Sequence, residues 1–358
     1  METIYNFSAG PATIAKSVLE RAQQELIYYK DTGMSVMEMS HRSAMYEAIL
    51  AEAKAKLIAL MDIPDNYEIL FLQGGATLQF SAIPLNLLKN KADYVDSGNF
   101  AHLAMQEATR YGDVQVVASS KEDNYRYIPT IDPTAWRKDA DYAYITTNNT
   151  IYGTCFHTIP DTGDVPLVAD MSSQILSEPV DVSRFGVIFA GAQKNIGPAG
   201  LCIVIVRKDL LGHAHPLCPK LMDWALQAKN NSMVNTPNTY GIYMAKLVFE
   251  WIEDMGGLVA MKAHNEKKAA ILYDYLDQST LFSATADKES RSLMNVTFVT
   301  GDTEKDTAFV KFATQNGLVN LKGHRNVGGM RASIYNAMPI AGVEKLVAIM
   351  KTFEKEQA

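Results

Sequence analysis

Short apolar runs and helical patterns alternate through the first two thirds of the chain. Seven runs predict strands, because they are apolar and most are rich in β-branched or aromatic residues. These runs are 69–72, 94–95, 114–118, 142–146, 165–169, 187–190 and 201–206. Helical spacing fills several gaps, for example 78–88 and 100–111. Since such alternation builds a parallel sheet covered on both faces, we predict an α/β domain with a mainly parallel seven-stranded sheet.

Further helices and a smaller α+β unit flank this alternation. Before it, apolar spacing predicts helices over 17–29, with Leu19, Ala22, Leu26 and Ile27 on one face, and over 44–61. The elements predicted after it are helices over 240–255 and up to about 277, a strand over 293–299, a helix over 306–316, a strand over 329–333 and a helix from 341.

We place the domain boundary at residue 256, where two glycines separate the predicted helices. Residues 1–15 are expected to form an N-terminal segment near the active site. Residues 16–256 would form the large domain, and 257–358 the small α+β C-terminal domain.

Composition restricts the partners of this chain. Lys and Arg number 33 and Asp and Glu 40 among 358 residues, for a net charge of −7. This balance argues against nucleic acid and anionic membranes as partners, so any anion site must be a local basic cluster. The three cysteines have no metal-type spacing, and neither a basic leader nor a long apolar span occurs. We therefore expect a cytoplasmic protein with no metal site and no disulfide framework.

Lys194 lies in a turn between two predicted buried strands, among small residues that include Gly197 and Gly200. A lysine in such a place is poorly solvated, which lowers its pKa and favours the neutral amine. A positioned neutral amine is what a Schiff base with an aldehyde cofactor requires. The alternative is a surface lysine in a polar turn.

Asp170 ends another predicted strand and precedes Ser172 and Ser173. Ligands of parallel sheets bind at the carboxyl ends of the strands, and a carboxylate there can keep a pyridine nitrogen protonated. A helix N-cap is the alternative interpretation. It explains less well why Asp170 and Lys194 occur together at neighbouring strand ends.

Two further patterns favour anion binding. The loop 73–77 (Gln-Gly-Gly-Ala-Thr) lies between a strand and a helix and offers backbone N–H groups and the Thr77 hydroxyl; a plain tight turn is the alternative. It matches no nucleotide-binding fingerprint. Basic pairs at 41–42 and 324–325 (His-Arg), with Arg331, suggest a substrate with two anionic ends, unless they are solvated surface charge.

Together these motifs resemble those of the phosphoserine aminotransferases, class-V enzymes of fold type I that use pyridoxal 5′-phosphate (PLP), nearly end to end. The matching segments are 6–11, 35–42, 169–173, 191–200, 235–237 and 322–338. The Gly-Ala-Gln-Lys-Asn and Gly-His-Arg blocks are highly specific for this family. The resemblance implies a PLP-dependent transferase of fold type I, with a large cofactor-binding domain and a small C-terminal domain.

The resemblance also implies roles at the cofactor ring. Lys194 would hold PLP as a Schiff base and later carry the proton between the substrate and the cofactor. Asp170 would pair with the pyridinium nitrogen, and Thr150 would contact the ring hydroxyl. Phe100 would stack on the ring, where the family often has a tryptophan.

The cofactor phosphate would be bound by the backbone amides of Ala76 and Thr77, with Gln193. Asn235 and Thr236 would reach it from a second subunit, so the active unit would be a homodimer with shared active sites. Thr77 departs from relatives that can carry an arginine at this position, which could change affinity.

On the substrate, the family implies that Arg331 binds the α-carboxylate. The phosphate would be gripped by His41, Arg42, His324 and Arg325. The expected reaction interconverts L-glutamate and 3-phosphohydroxypyruvate with 2-oxoglutarate and O-phospho-L-serine, in serine biosynthesis.

Other activities fit parts of the same pattern. The related oxo acid that leads to 4-phosphohydroxy-L-threonine, in pyridoxine biosynthesis, suits the same residues. A cysteine desulfurase on this scaffold would need a nucleophilic cysteine on a mobile loop, and Cys155, Cys202 and Cys218 are not convincingly placed. A non-catalytic PLP- or phosphate-binding module would require neither Lys194 nor Asp170.

Overall fold

A computed structural model describes residues 3–357. Within them the helices are α1 Lys16–Gln24, α2 Ala44–Met61, α3 Gln79–Leu87, α4 Asn99–Ala108, α5 Trp224–Lys229, α6 Thr239–Asp254, α7 Gly257–Leu276, α8 Thr303–Gln315 and α9 Ile340–Gln357. The strands are β1 Tyr5–Asn6, β2 Tyr67–Gln73, β3 Lys91–Asp96, β4 Asp113–Ser119, β5 Tyr142–Thr146, β6 Asn148–Asn149, β7 Thr154–Cys155, β8 Leu167–Asp170, β9 Val187–Gly191, β10 Leu201–Arg207, β11 Ser283–Ala284, β12 Asn295–Val299, β13 Leu318–Val319 and β14 Met330–Ser333. No helix in this part of the chain could cross a membrane.

Seven strands form the central sheet, in the order β2–β10–β9–β8–β5–β3–β4. The strands from β9 to β4 pair in parallel, whereas β10 runs antiparallel to both β2 and β9. These are the seven predicted strands, so the mainly parallel sheet is confirmed. All but β10 run in the same direction, and their carboxyl ends therefore lie at one edge of the sheet.

Both faces of this sheet are buried. In β2, Ile69 and Phe71 pack in the same core as Leu50 of α2. Leu70 and Leu72 point to the opposite face, into the core formed with α3, α4 and α5. Because successive strand residues alternate between faces, two-sided burial requires apolar residues at nearly every position, which explains the continuous apolar runs.

A second, smaller sheet contains β11, β12 and β14, all antiparallel. Its core with α8 and α9 is rich in phenylalanine, and the ring of Phe309 meets those of Phe282 and Phe353 edge-on at 4.9 and 5.3 Å between centroids. Phe7 joins this core, because β1 pairs in parallel with β13. Helix α7 contributes residues to both cores, and the boundary at 256 stays a prediction.

The first predicted helix differs from α1. The helix ends at Gln24, and Leu19 and Ile27 of the predicted apolar face are 47% and 66% exposed. One contact where the helix ends is long-range, since Glu25 accepts a hydrogen bond from the Tyr243 hydroxyl at 2.6 Å. The spacing of apolar residues within a helix does not predict a contact between distant segments.

Candidate active site

The carboxyl edge of the central sheet opens on a cavity of about 330 Å³. Strand ends and the loops that follow them form most of its wall, as expected for a parallel sheet. The predicted site residues that line it are Ala76, Thr77, Phe100, Thr150, Asp170, Gln193, Lys194, His324 and Arg331.

Lys194 lies in the turn after β9. Its Nζ donates a hydrogen bond to Thr150 Oγ1 at 2.8 Å and lies 5.6 Å from the centre of the Phe100 ring. Burial lowers the pKa of this amine to about 8, against the attraction of Asp170, and the positive charge of Arg331 adds to the shift. The site therefore holds a lysine that loses its proton far more readily than a surface lysine.

Asp170 is the last residue of β8 and is 5% exposed. Its Oδ1 accepts a hydrogen bond from the backbone N–H of Ser172 at 2.8 Å. Burial raises the pKa of the carboxyl, and the bond from Ser172 and the charge of Lys194 oppose that rise. The next residues form turns rather than a helix, so Asp170 caps no helix and its carboxylate borders the cavity.

The anion-binding loop follows β2. Ala76 and Thr77 begin a short 3₁₀ segment, Ala76–Leu78, that leads directly into α3. The first N–H groups of such a segment have no partners within it. The space beside Gly75 is open, since a methyl group in place of its α-hydrogen would meet no atom within 4 Å. Free donors beside open space suit a phosphate group.

Arg331 reaches the same cavity from β14 of the small sheet. Its guanidinium donates to the Thr150 carbonyl at 3.4 Å, and burial lowers its pKa. Thr150 therefore contacts both basic side chains: its hydroxyl accepts from Lys194, and its carbonyl accepts from Arg331. This arrangement holds an amine and a carboxylate-binding group side by side.

The remaining predicted residues lie outside the cavity wall of this chain. Arg42, Asn235, Thr236 and Arg325 are exposed, and His41 is half-buried. The Asn235 Oδ1 and the Thr236 carbonyl accept hydrogen bonds from the Gln73 side chain, at 3.0 and 2.5 Å. One chain alone therefore does not bring these five residues together with Lys194.

Sequence reasoning missed several parts of the wall. Thr146 ends β5 and borders the cavity; its place at a strand end on the same edge was the available signal. Ala9 and Gly10, which belong to the N-terminal segment expected near the active site, also line the cavity, although neither residue was singled out from the sequence. The Tyr335 hydroxyl donates to the Ala9 carbonyl at 2.8 Å, a contact between distant segments that no local pattern predicts.

The residues present fit PLP. The cavity offers an amine for the aldehyde, a carboxylate for the ring nitrogen, an aromatic ring for stacking, and N–H groups with a hydroxyl for the phosphate. The desulfurase alternative lacks a nucleophile in this cavity, because none of the three cysteines lines it. Burial also raises the pKa of the Cys155, Cys202 and Cys218 thiols.

Comparisons with known proteins agree with this geometry. The profile of the class-V aminotransferase family matches residues 4–346. Phosphoserine aminotransferases of Bacillus cereus and Listeria monocytogenes are 53% and 56% identical to this chain, covering 99% of it and 99% and 97% of their own lengths. The structure of the Bacillus circulans subsp. alkalophilus phosphoserine aminotransferase has a TM-score of 0.97 at 48% identity, covering 100% of both chains. The PLP-bound enzyme of Trichomonas vaginalis has a TM-score of 0.93 at 43% identity, covering 97% of this chain and 99% of its own.

Proposed function

The chain belongs to the class-V aminotransferases and, within them, to the phosphoserine aminotransferases; from this premise we propose that it transfers the amino group between L-glutamate and 3-phosphohydroxypyruvate. The products are 2-oxoglutarate and O-phospho-L-serine, and the reaction is reversible. Membership confirms the predicted fold type, the cofactor and the aminotransferase class. The observation that carries the proposal is the convergence of Lys194, Asp170 and Arg331 on one cavity.

The residues at the reacting end have distinct tasks. Bound PLP supplies an aldehyde that joins the substrate nitrogen and a ring that withdraws electrons from the substrate α-carbon. Lys194 Nζ takes the proton from the α-carbon of glutamate and returns one to the α-carbon of the oxo acid. Thr150 Oγ1, which accepts from this amine at 2.8 Å, holds it in place.

Arg331 acts on the substrate, and Asp170 acts on the cofactor. The Arg331 guanidinium binds the substrate α-carboxylate, because a planar fork of donors suits that group. The Asp170 carboxylate would bind the ring nitrogen of PLP and keep that nitrogen protonated. Phe100 would stack on the ring and exclude water from one of its faces.

Phosphate recognition divides between two groups of residues. Ala76, Thr77 and Gln193 bind the cofactor phosphate from within this chain. We assign His41, Arg42, His324 and Arg325 to the substrate phosphate.

We further propose a homodimer in which Asn235 and Thr236 complete the partner's active site. Both residues are exposed. An apolar groove of about 270 Å³, lined in part by Leu78 and Leu221, adjoins Asn235. A second copy of the chain would cover this groove while presenting its own copy of these residues.

We place the enzyme in the cytoplasm. Its three cysteines are all unpaired, which suits a reducing compartment.

The test is the visible absorption of the protein with PLP, before and after L-glutamate. We expect a visible band that glutamate abolishes and that 3-phosphohydroxypyruvate restores. Lys194→Ala should lose at least about 10³-fold in rate, because it removes the group that moves the proton. Lys246→Met serves as the control, since Lys246 is also buried but pairs with Glu250 at 2.9 Å, outside the cavity wall. Undiminished turnover in Lys194→Ala, or no response to glutamate, would refute the assignment.

A further inference from the structure

Three buried asparagines bind three consecutive backbone carbonyls behind the active site. The side-chain amides of Asn195, Asn336 and Asn265 donate in that order to the carbonyls of residues 175–177, at 3.0, 2.8 and 3.0 Å. We call this arrangement the asparagine junction. None of the three asparagines lines the active-site cavity.

The junction joins the segments that carry the catalytic groups. Asn195 directly follows Lys194, and Asn336 lies shortly after β14, the strand of Arg331. The carbonyls belong to the turn that follows Asp170 at the end of β8. Asparagine side chains thus connect the proton-transferring amine, the carboxylate-binding arginine and the ring-binding carboxylate through a common point.

The asparagines also bind one another. The backbone N–H of Asn336 donates to Asn195 Oδ1 at 3.1 Å, and Asn265 Nδ2 donates to Asn336 Oδ1 at 2.9 Å. The three residues are 4%, 0% and 2% exposed, in chain order. All three side-chain NH2 groups and the Oδ1 atoms of Asn195 and Asn336 are bonded, whereas Asn265 Oδ1 has no partner among the described residues. Buried amides are costly unless bonded, and connected bonds restrict the groups that make them to one geometry.

Two features show that this geometry is imposed on the backbone. Leu176, whose carbonyl binds Asn336, is buried in the left-handed region at φ 62. A leucine persists there only where its surroundings over-determine the conformation. On the other side, the buried Lys268 of α7 donates to the carbonyls of Tyr335 and Met338 at 2.6 and 3.3 Å, and so holds the segment that contains Asn336.

We propose that the asparagine junction sets the position of Lys194 relative to Arg331, and that Asn195, Asn265 and Asn336 are positioning residues for proton transfer. Substrate bound by its carboxylate to Arg331 presents its α-hydrogen to Lys194 only if the two segments keep a fixed distance. A shift of about 1 Å at such a site can cost about 10²-fold in rate. The proposal rests on the proposed roles of Lys194 and Arg331.

The test is Asn336→Ala compared with Asn86→Ala. Asn86 is a stringent control, because it is 4% exposed and its side chain makes three hydrogen bonds, to the Ala82 and Met222 carbonyls and from the Trp224 N–H, whereas the Asn336 side chain makes two. For each holoenzyme, stopped-flow absorption gives the rate constant of the reaction with L-glutamate and the isotope effect of α-deuterated glutamate on it. Hydrogen exchange of the protein without cofactor reports the backbone around residues 175–177 and 195.

We expect Asn336→Ala to slow the glutamate reaction by about 10-fold or more and to raise the isotope effect, because proton transfer becomes more limiting. Exchange should accelerate around residues 175–177 and 195. Asn86→Ala should lower the melting temperature while leaving the rate and isotope effect within about twofold of the wild type. A rate and isotope effect in Asn336→Ala that match Asn86→Ala would overturn the proposal.

Asn265→Ala keeps the proposal testable if Asn336→Ala does not fold. Asn265 is the member of the junction farthest from Lys194, and its substitution removes the hydrogen bonds to the Ser177 carbonyl and to Asn336 Oδ1. A slower reaction with a raised isotope effect supports positioning; an unchanged isotope effect at a temperature where this variant is folded contradicts it. Failure of the proposed function itself looks different, since the wild-type protein would then not react with glutamate.

Discussion

The two ends of the active site differ in the share of their predicted residues that line the cavity of a single chain. At the reacting end, Lys194, Thr150 and Arg331 are connected by hydrogen bonds, and Asp170 borders the same cavity. At the phosphate end, most of the predicted residues lie outside that cavity. These are His41, Arg42, Asn235, Thr236 and Arg325.

The difference follows from what each end must do. Proton transfer requires fixed distances in a dry site. The buried strand ends of the central sheet, together with β14 of the small sheet, hold Lys194, Asp170 and Arg331 around one cavity. Phosphate recognition requires several positive charges and N–H donors, which exposed loops can present. We therefore propose that a single chain supplies the groups for the chemistry, whereas recognition of the phosphates also uses residues of a second copy.

Among variants that keep Lys194, the largest effect should come from removing the arginines at the phosphate end. Arg42→Ala and Arg325→Ala should each lower kcat/KM for O-phospho-L-serine by about 10- to 150-fold, because a lost charge-assisted contact costs roughly 1.5–3 kcal/mol. The same variants should react nearly normally with L-alanine, which has a carboxylate but no phosphate. Steady-state kinetics with both amino acids measure this selectivity.

Arg110→Ala is the control for these variants. Arg110 is a surface arginine with a 71% exposed side chain, and its ion-pair partner among residues 3–357 is Glu107, three positions earlier. It should change neither rate. Equal losses for phosphoserine and alanine in Arg42→Ala or Arg325→Ala would contradict the phosphate role and remove the contrast between the two ends.

A smaller effect concerns the amine at the reacting end. Its pKa of about 8 predicts that Lys194 in the protein without cofactor reacts about tenfold faster with an amine-labelling reagent at pH 9 than at pH 7. The neutral fraction rises with pH and levels off above about pH 9. Peptide mass spectrometry after short labelling measures the rate, with exposed Lys16 in the same digest as the internal reference.

An ordinary lysine would respond differently. Its labelling would rise about tenfold for each pH unit, and so about 100-fold between pH 7 and pH 9, without levelling off. Such a profile for Lys194 would show that the cavity does not favour the neutral amine. The reacting end would then depend on bound cofactor or a second copy, as the phosphate end is proposed to do.

Much of the fold could be predicted because burial leaves a strong local signal. The strands β5, β9 and β10 are buried along nearly their whole lengths, and each was predicted within a residue or two of its ends. Lys194 and Asp170 could be predicted for the same reason, since Asp170 ends β8 and Lys194 follows β9 at one edge of the sheet.

What could not be predicted depends on contacts between distant residues. The asparagine junction joins Asn195, Asn265 and Asn336, each of which looks like an ordinary polar residue in its own segment. The end of α1 coincides with a bond between Glu25 and Tyr243, which are far apart in the chain. The proposed role of Asn235 involves a second copy of the chain, and the residue periodicity of one sequence does not describe contacts between copies.

The smallest effect tests most directly whether the phosphate end is shared. Chains carrying Lys194→Ala and chains carrying Asn235→Ala are co-expressed with different affinity tags, and heterodimers are isolated through both tags. If Asn235 serves the partner's site, each heterodimer contains one site with neither substitution and one with both, so it should have about half the wild-type activity. The Asn235→Ala homodimer should bind PLP at least about 10-fold more weakly, because each site loses a bond to a charged phosphate.

If Asn235 instead acts within its own chain, the only intact Lys194 in the heterodimer lies in the same site as the Asn235→Ala substitution. Activity at limiting PLP then cannot exceed half that of the Asn235→Ala homodimer. That outcome would make the two ends of the site alike, each built by a single chain.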